Sequence, residues 1–370
     1  MRLLLSALPF LVVSNVYAQT AVVEQLCELP SEILETSGLE NGPNDWFWTH
    51  NDSGNPAELY CIDTLGIIQR VVSVAGDPNT DWEDLAKDSE GNLYIGNFGN
   101  NNLNRTDLRI VKIPSIDTCT TMAFVSDTIL FTYPDQIEFP PSGSYGNFDM
   151  EAFFWFEDSL HLFSKDRSTP STGYSKHYRL PSVGGNYVAE LIDSIYTGSS
   201  NFLTAITAAD ISENGDTVVL LNADHIWLIT GFVGTDFSTG NVSELALGSF
   251  TQKEAVVFRN GFLYVTDEQE PFFNAGGNLY RVHPEVFMGV SESDGRIDHQ
   301  PIYDQQQRLI EIRLSNVEKL KWKLLNLDGR LIQEGENAEK ILATDFTVES
   351  GVYVIQLFGN SGSSANLIKL

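Results

Sequence analysis

Five segments of this chain repeat one pattern of short strands and turns. In each segment a short strand leads into a turn of Gly, Asn, Asp or Ser, a second apolar strand ends in a polar loop, and a third strand closes the unit. An alternating strand such as IIQRVVSVA lies between consecutive segments. The segments begin at positions 37, 83, 151, 207 and 254, spaced by 46 (37 to 83), 68, 56 and 47 residues. Units of four strands at this period predict an all-β protein, a β-propeller.

The pattern predicts five blades. Six blades are the alternative, because the spacing of 68 residues (83 to 151) could hold a further blade around PDQIEFPPSGSYGNF. The strand VVEQLCELPSEIL precedes the first unit, and we expect it to complete the last blade and close the ring. The repeat stops after Pro284. We therefore expect a propeller over 19–285, a polar linker over 286–304 and a small β-sandwich over 305–370.

The chain begins with MRLLLSALPFLVVSNVYAQT, in which a basic residue precedes an apolar run and a small-residue cleavage site. This order is typical of a secretory signal peptide, which we place at 1–18. No later run approaches the roughly 20 apolar residues of a membrane helix, so we expect no membrane insertion. Three cysteines follow, an odd number that leaves at least one thiol unpaired within the chain.

The formal net charge of -28 limits the classes of partner. Nucleic acids are excluded, because their phosphates are bound by Lys and Arg. An acidic protein of this kind is well solvated or binds cations.

The first strands of the blades place one set of polar residues around the predicted axis. These residues are Ser37, Glu83, Glu151, Thr207 and Glu254. Carboxylates that face each other repel, so either their pKa values rise or a cation lies among them. An all-oxygen ring suits a hard cation, and we expect Ca²⁺. The alternative is a polar channel in which waters, backbone amides or a neighbouring lysine satisfy these groups.

The loops after the second strands are expected on the same face as this ring, where rigid strands present variable loops to a ligand. The candidate ligand-binding residues are His50, Asn51, Asp52, Asn97, Asn100, Lys165, Asp166, Arg167, Asn222, Asp267 and Glu268. His50 and Asp52 could form an acid/base pair, or His50 could be hydrogen-bonded within a turn. Lys165 and Arg167 could hold a phosphate or carboxylate, or could be solvated loop charges. Nucleophile triads, phosphate loops and HExxH or CxxC motifs are absent from the sequence.

Three resemblances follow from these motifs. The tail, with KLLNLDGRLIQEG, VESGVYVIQLFGN and LIKL, resembles the type A sorting domain of the type IX secretion system. The order Ser, Glu, Glu, Thr, Glu around the ring resembles the soluble calcium-activated nucleotidases. That resemblance implies an axial calcium and hydrolysis of nucleoside di- and triphosphates. THNDSGN, DWEDLA, LYIGNFGNN, DMEAF, TAADIS and KEAVVF resemble a group of secreted bacterial propellers of unassigned function.

Two functions therefore stand as predictions, and enzymatic activity is left open. The first is a non-catalytic propeller with an axial calcium that binds a small molecule, glycan or protein on its upper face. The alternative is a calcium-dependent hydrolase of nucleotides or phosphate esters. In both cases we expect a secreted or outer-surface protein that is exported through Sec and then through the type IX machinery. We expect the C-terminal domain to be the part that this machinery recognises.

Overall fold

The structure is a computed structural model that describes residues 19–141, 145–199, 201–269 and 275–283, together with seven strands between 301 and 369. The chain divides into two compact units, Met1–Val282 and His283–Leu370. Among the described residues, no helix has the length and apolar character needed to cross a membrane.

Two N-terminal strands, β1 (Gln19–Thr20) and β2 (Val23–Glu28), precede the blades. Blade 1 is an antiparallel sheet of four strands: β3 (Thr36–Asn41), β4 (Phe47–Asn51), β5 (Glu58–Ile62) and β6 (Ile68–Ala75). The next five strands are β7 (Trp82–Lys87), β8 (Leu93–Asn97), β9 (Arg109–Ile113), β10 (Met122–Phe124) and β11 (Asp127–Thr132). All of these except β10 form blade 2.

Blades 3 to 5 follow the same plan. Blade 3 and the strand inserted in it comprise β12 (Asp149–Phe156), β13 (Ser159–Lys165), β14 (Tyr174–Pro181), β15 (Gly185–Val188) and β16 (Glu190–Tyr196). Blade 4 comprises β17 (Ala208–Ile211), β18 (Thr217–Leu221), β19 (His225–Thr230) and β20 (Asn241–Ala246). Blade 5 comprises β21 (Lys253–Arg259), β22 (Phe262–Asp267), β23 (Asn278–Val282) and the N-terminal β2.

The five-bladed propeller predicted from the repeat is confirmed. Strand β2 pairs antiparallel with β23, with Val23 opposite Val282, so the N-terminal strand completes the last blade and closes the ring. The described residues between β11 and β12 hold no strand that could begin a sixth blade. The first strands of the blades contact their neighbours in order around the axis.

Three short strands extend the outer edges of blades in a way that the repeat does not predict. Strand β10 pairs in parallel with β6, β15 with β11, and β1 with β20. The first two lie between the third and fourth strands of one blade and join the outer strand of the preceding blade. Each of them covers a sheet edge that would otherwise present unpaired backbone groups.

The hydrophobic core lies between neighbouring blades. Between blades 1 and 2, for example, Trp48 and Leu59 pack in one cluster with Trp82, Leu85 and Ile95. Because both faces of each sheet are covered, the central strands are continuous apolar runs rather than alternating ones. The three cysteines, Cys27, Cys61 and Cys119, form no disulfide.

Polar bonds near the axis join several inner strands to the inner strand of the next blade. The Ser37 hydroxyl donates to the Glu83 carbonyl, and the Thr207 hydroxyl donates to the Lys253 carbonyl at 2.6 Å. The Asp84 carboxylate accepts a hydrogen bond from the Phe153 amide at 2.9 Å. These bonds hold the inner strands at fixed distances around the axis.

The second unit is all-β in its described residues. Its strands are β24 (Pro301–Asp304), β25 (Leu309–Ile312), β26 (Lys321–Leu325), β27 (Leu331–Glu336), β28 (Lys340–Leu342), β29 (Val352–Gly359) and β30 (Gly362–Lys369). They form one antiparallel sheet of three strands and one of four.

Strands β26 and β27 pair antiparallel, and the segment between them, which contains Asp328-Gly329, lies outside the described residues. Strand β24 occupies the last four residues of the predicted linker 286–304. The predicted signal peptide and the linker up to residue 300 also lie outside the described residues.

Candidate functional site

A β-bulge re-aims the glutamate at the start of the inner strand in three blades. The pairing of β7 with β8 skips Glu83, that of β12 with β13 skips Glu151, and that of β21 with β22 skips Glu254. A bulged residue leaves the alternation of the strand and can point along a new direction. Here all three side chains reach the same cavity on the axis.

This axial pocket has a volume of about 530 Å³. All five residues that the sequence places in a ring line it: Ser37, Glu83, Glu151, Thr207 and Glu254. Four of the predicted loop residues line it as well: Asp52, Lys165, Arg167 and Glu268. The structure thus brings nine of the predicted residues to one cavity, whereas their roles as ligands stay predictions.

A neighbouring lysine and arginine satisfy one of the ring glutamates. The Lys165 Nζ atom lies 3.1 Å from Glu151 Oε2, and Arg167 Nη2 lies 3.4 Å from Glu151 Oε1. Arg167 is also paired with Asp149. Burial lowers the pKa of Lys165, but the charges of Glu151 and Glu254 outweigh it and hold this pKa above its usual range. Lys165 is therefore an internal cation of the pocket.

Glu83 has no such partner. Its side chain is only 6% exposed, and within the described residues no hydrogen bond or ion pair reaches its carboxylate. Burial raises the pKa of this carboxyl well above its usual range. Four neighbouring carboxylates raise it further, namely Glu151, Asp52, Asp81 and Asp149. A buried acid in this position is either protonated or neutralised by a bound cation.

Asp52, Asp81 and Glu83 form a carboxylate cluster in which one oxygen from each lies within 4.8 Å of the others. Burial raises the pKa of Asp52 to about 6, and Asp81 and Glu254 contribute to that rise. Burial also raises the pKa of Asp81, against the opposing charge of Arg105.

Gly99, in the loop after β8, makes room for this cluster. A methyl group built on its Cα would lie 1.9 Å from Glu83 Oε1 and 2.6 Å from Asp81 Oδ2. Arg105 Nη1 donates to the Gly99 carbonyl at 2.7 Å and so fixes the loop there. The glycine of the NFGNN segment therefore brings bare backbone against the two carboxylates, a close approach that only glycine allows.

A second pair of acids lies on the blade 5 side of the pocket. Burial raises the pKa of Glu254, and it raises that of Glu268 to about 10, with further contributions from the charges of Glu254 and Asp52. The Gln252 side-chain amide donates to the Glu268 carboxylate. The pocket thus concentrates negative charge on two sides, and Lys165 and Arg167 lie on a third.

Seven of the predicted ligand-binding residues lie outside the pocket lining: His50, Asn51, Asn97, Asn100, Asp166, Asn222 and Asp267. Their side chains hold the loops. Asn97 Nδ2 donates to Asp77 Oδ2 at 2.6 Å, and Asn222 Nδ2 donates to the Thr204 carbonyl at 2.7 Å. Polar residues at strand ends satisfy turn backbone more often than they bind ligands, and the sequence pattern is the same for both uses.

His50 is buried in the core and does not form an acid/base pair with Asp52 in the structure. Its Nδ1 atom lies 2.9 Å from the Asn51 carbonyl oxygen, and its ring packs edge-on against Trp82 at 5.5 Å. Burial lowers the pKa of His50 to about 4.

Several residues of the site escaped the sequence analysis. Asp81 and Asp149 each precede a ring glutamate by two positions, and this shared D-x-E spacing was a usable signal. Leu203, Phe250, Thr251 and Gln252 also line the pocket. They lie in connections before the inner strands of blades 4 and 5, which carry no repeated motif.

Comparisons with known proteins give likenesses of shape only. No protein family profile matches the chain, and no curated protein does. The PQQ-bound aldose sugar dehydrogenase of Streptomyces coelicolor is 12% identical with a TM-score of 0.43, over 71% of this chain and 98% of that one. The Cps50 (Swd1) β-propeller domain of Myceliophteria thermophila is 11% identical with a TM-score of 0.36, over 70% of this chain and 99% of that one.

A third likeness is to PorZ, a bacterial surface component of the type IX secretion system of Porphyromonas gingivalis. It is 13% identical with a TM-score of 0.30, over 91% of this chain and 51% of that one. Similarity at this level supports no inference about activity, partner or export.

Proposed function

We propose that this protein is a binding propeller whose axial pocket holds a divalent cation, Ca²⁺, and presents it to a ligand at the mouth of the pocket. The observation that carries the proposal is Glu83, a carboxylate that is nine-tenths buried among four other acids and receives no donor within the described residues. A cation at this point would supply the direct partner that the Glu83 carboxylate lacks among the described side chains.

Asp52, Asp81 and Glu83 would hold the ion. The donors are all oxygens, which hard cations such as Ca²⁺ prefer, and the Gly99 backbone leaves their approach open. Of the sequence-predicted ring, Glu151 is engaged by Lys165, and the hydroxyls of Ser37 and Thr207 donate to backbone carbonyls. The proposal therefore moves the ion from the centre of the ring toward blades 1 and 2.

The test is the calcium-dependent rise in melting temperature of Glu83→Gln. The amide keeps the shape of the side chain and removes its charge, so the rise expected for the wild-type chain should be lost. Glu90→Gln is the matched control, because Glu90 is exposed in the turn that follows the same strand. A Glu83→Gln variant that calcium stabilises as much as it does the wild type would refute the proposed site.

The hydrolase alternative has less support in this geometry. Lys165 and Arg167, the residues expected to hold a phosphate, are paired with Glu151 and Asp149. Among the described residues, five carboxylates line the pocket against these two cations, an arrangement that disfavours a phosphate ester wherever no metal ion intervenes.

We also propose that the protein reaches the cell surface or the medium through Sec and the type IX system. Residues 1–18 would serve as the signal peptide and residues 305–370 as a sorting domain. What supports this is the sequence pattern of the two ends. In a host with type IX secretion, a chain truncated at residue 304 should stay in the periplasm. Surface display of that truncated chain at the level of the full chain would rule out the sorting role.

A further inference from the structure

The side of the axial pocket formed by blades 4 and 5 differs in chemistry from the carboxylate cluster of blades 1 and 2. Two large apolar side chains stand exposed at its mouth, Leu203 at 54% and Phe250 at 59%. Below them Glu254 is 7% exposed, and Glu268 lines the same wall. Apolar groups left open beside buried acids mark a place where a ligand can cover both.

The exposed apolar residues lie on anchored backbone. The Lys253 ammonium is buried and donates to the Ser249 carbonyl at 2.9 Å and to Thr251 Oγ1 at 2.8 Å, on either side of Phe250. The segment that carries Leu203 is held by the bond from Asn222 to the Thr204 carbonyl. Both side chains are therefore presented on fixed segments, which reduces the entropy lost on binding.

The charged side chains that line the axial pocket favour a ligand of one sign. The carboxylates among the described lining residues are Asp52, Glu83, Glu151, Glu254 and Glu268, and the cations are Lys165 and Arg167. Among the described lining residues, acids therefore outnumber cations by five to two, and Asp81 adds a further acid beside Glu83. This arrangement disfavours an anionic ligand, whereas an ammonium ion between Glu254 and Glu268 would offset the burial and repulsion that raise the pKa of Glu268.

From these observations we infer that the blade 4 and blade 5 side of the pocket binds an organic ammonium ion that carries an apolar group. The ammonium would lie between Glu254 and Glu268, and the apolar group would cover Phe250 and Leu203. The face of Phe250 would add a cation–π contact to the charge pairing. This inference rests on the proposal that the axial pocket is a binding site, and it adds the class of ligand.

Benzylamine is the probe, because it combines one ammonium group with one apolar ring. Calorimetric titration of the full chain in calcium should show benzylamine binding at least about tenfold more tightly than benzyl alcohol, the equivalent of about 1.4 kcal/mol. Benzoate, which has the same ring and the opposite charge, should not bind. Equal affinity for the amine and the alcohol, binding of benzoate, or no binding of benzylamine would each overturn the inference.

The variant Phe250→Ala tests whether benzylamine binds beside this ring. The variant should bind benzylamine at least about fivefold more weakly, since it loses the ring contact. Phe124→Ala is the control, because Phe124 is also exposed, at 66%, but lies on the outer strand β10. Unchanged affinity in Phe250→Ala would contradict the inference. Melting temperatures of both variants check that they fold.

The titration is repeated in EDTA to separate this inference from the proposed cation site. If calcium does not bind but benzylamine does, the proposed cation site is refuted and the ammonium subsite is supported. If calcium binds but benzylamine does not, the cation site is supported and the ammonium subsite is refuted.

Discussion

At the scale of single residues, Glu83 and Glu151 show how one ring position takes different roles in different blades. Both Glu83 and Glu151 are bulged residues at the start of an inner strand. Glu151 meets the Lys165 ammonium at 3.1 Å, whereas no hydrogen bond or ion pair within the described residues reaches the Glu83 carboxylate. The difference arises after the second strands: Lys165 follows Ser164, the partner of Met150 in the sheet register, whereas the equivalent position of blade 2 is Phe98, which is buried in the core.

Gly99 gives the residue-scale prediction. In Gly99→Ala the new methyl group would overlap Glu83 Oε1, which it would approach to 1.9 Å, and displace the carboxylate from the cluster. We expect calcium affinity, measured by calorimetry, to fall at least about tenfold, or about 1.4 kcal/mol.

The control for this change is Gly42→Ala, after the far end of β3, where the nearest atom to the new methyl group would be 3.2 Å away. Both glycines have backbone angles that alanine can adopt, so the comparison isolates the contact with the cluster. Calcium binding by Gly99→Ala at wild-type affinity would show that the ion is held elsewhere.

At the scale of elements, the four-stranded units and the closing strand β2 could be predicted because turn residues and apolar runs repeat along the chain. The outer strands β1, β10 and β15 could not, since each has only two to four residues and is formed by pairing with a preceding blade. Short strands of this kind carry no periodic signal of their own.

The candidate site was predictable to the extent that it belongs to the repeat. Turn positions place Glu83, Glu151 and Glu254 at equivalent points, and the bulges carry all three into the pocket. His50 could not be placed, because the same motif suits a core histidine and a loop histidine. Leu203 and Phe250 lie in connections outside the repeat, so only the folded chain shows that they flank the axis.

At the scale of the whole molecule, the ring closure concentrates part of an acidic chain's charge at one point. The net charge of -28 is spread over the sequence, but among the described residues blades 1, 2, 3 and 5 bring five carboxylates to one cavity of about 530 Å³. Burial and mutual repulsion raise the pKa values of Glu83, Glu254 and Glu268. In the cation-free protein these acids therefore hold their protons more tightly than free carboxyl groups do.

These raised pKa values make cation binding at the carboxylate cluster directly measurable. A cation binds the ionised carboxylates, lowers their pKa values and so releases protons. Asp52, with a pKa raised to about 6, is largely ionised at pH 7 and largely protonated at pH 5. Calcium affinity should consequently fall as the pH is lowered from 7 to 5.

The measurement is calorimetric titration of the EDTA-treated full chain with Ca²⁺ at pH 7, in two buffers of different ionisation enthalpy. The account predicts one site and a heat that differs between the two buffers, because the ion displaces protons from the buried carboxyl groups. Binding with no buffer dependence would place the ion away from these carboxylates. No binding in either buffer would contradict the cation site itself.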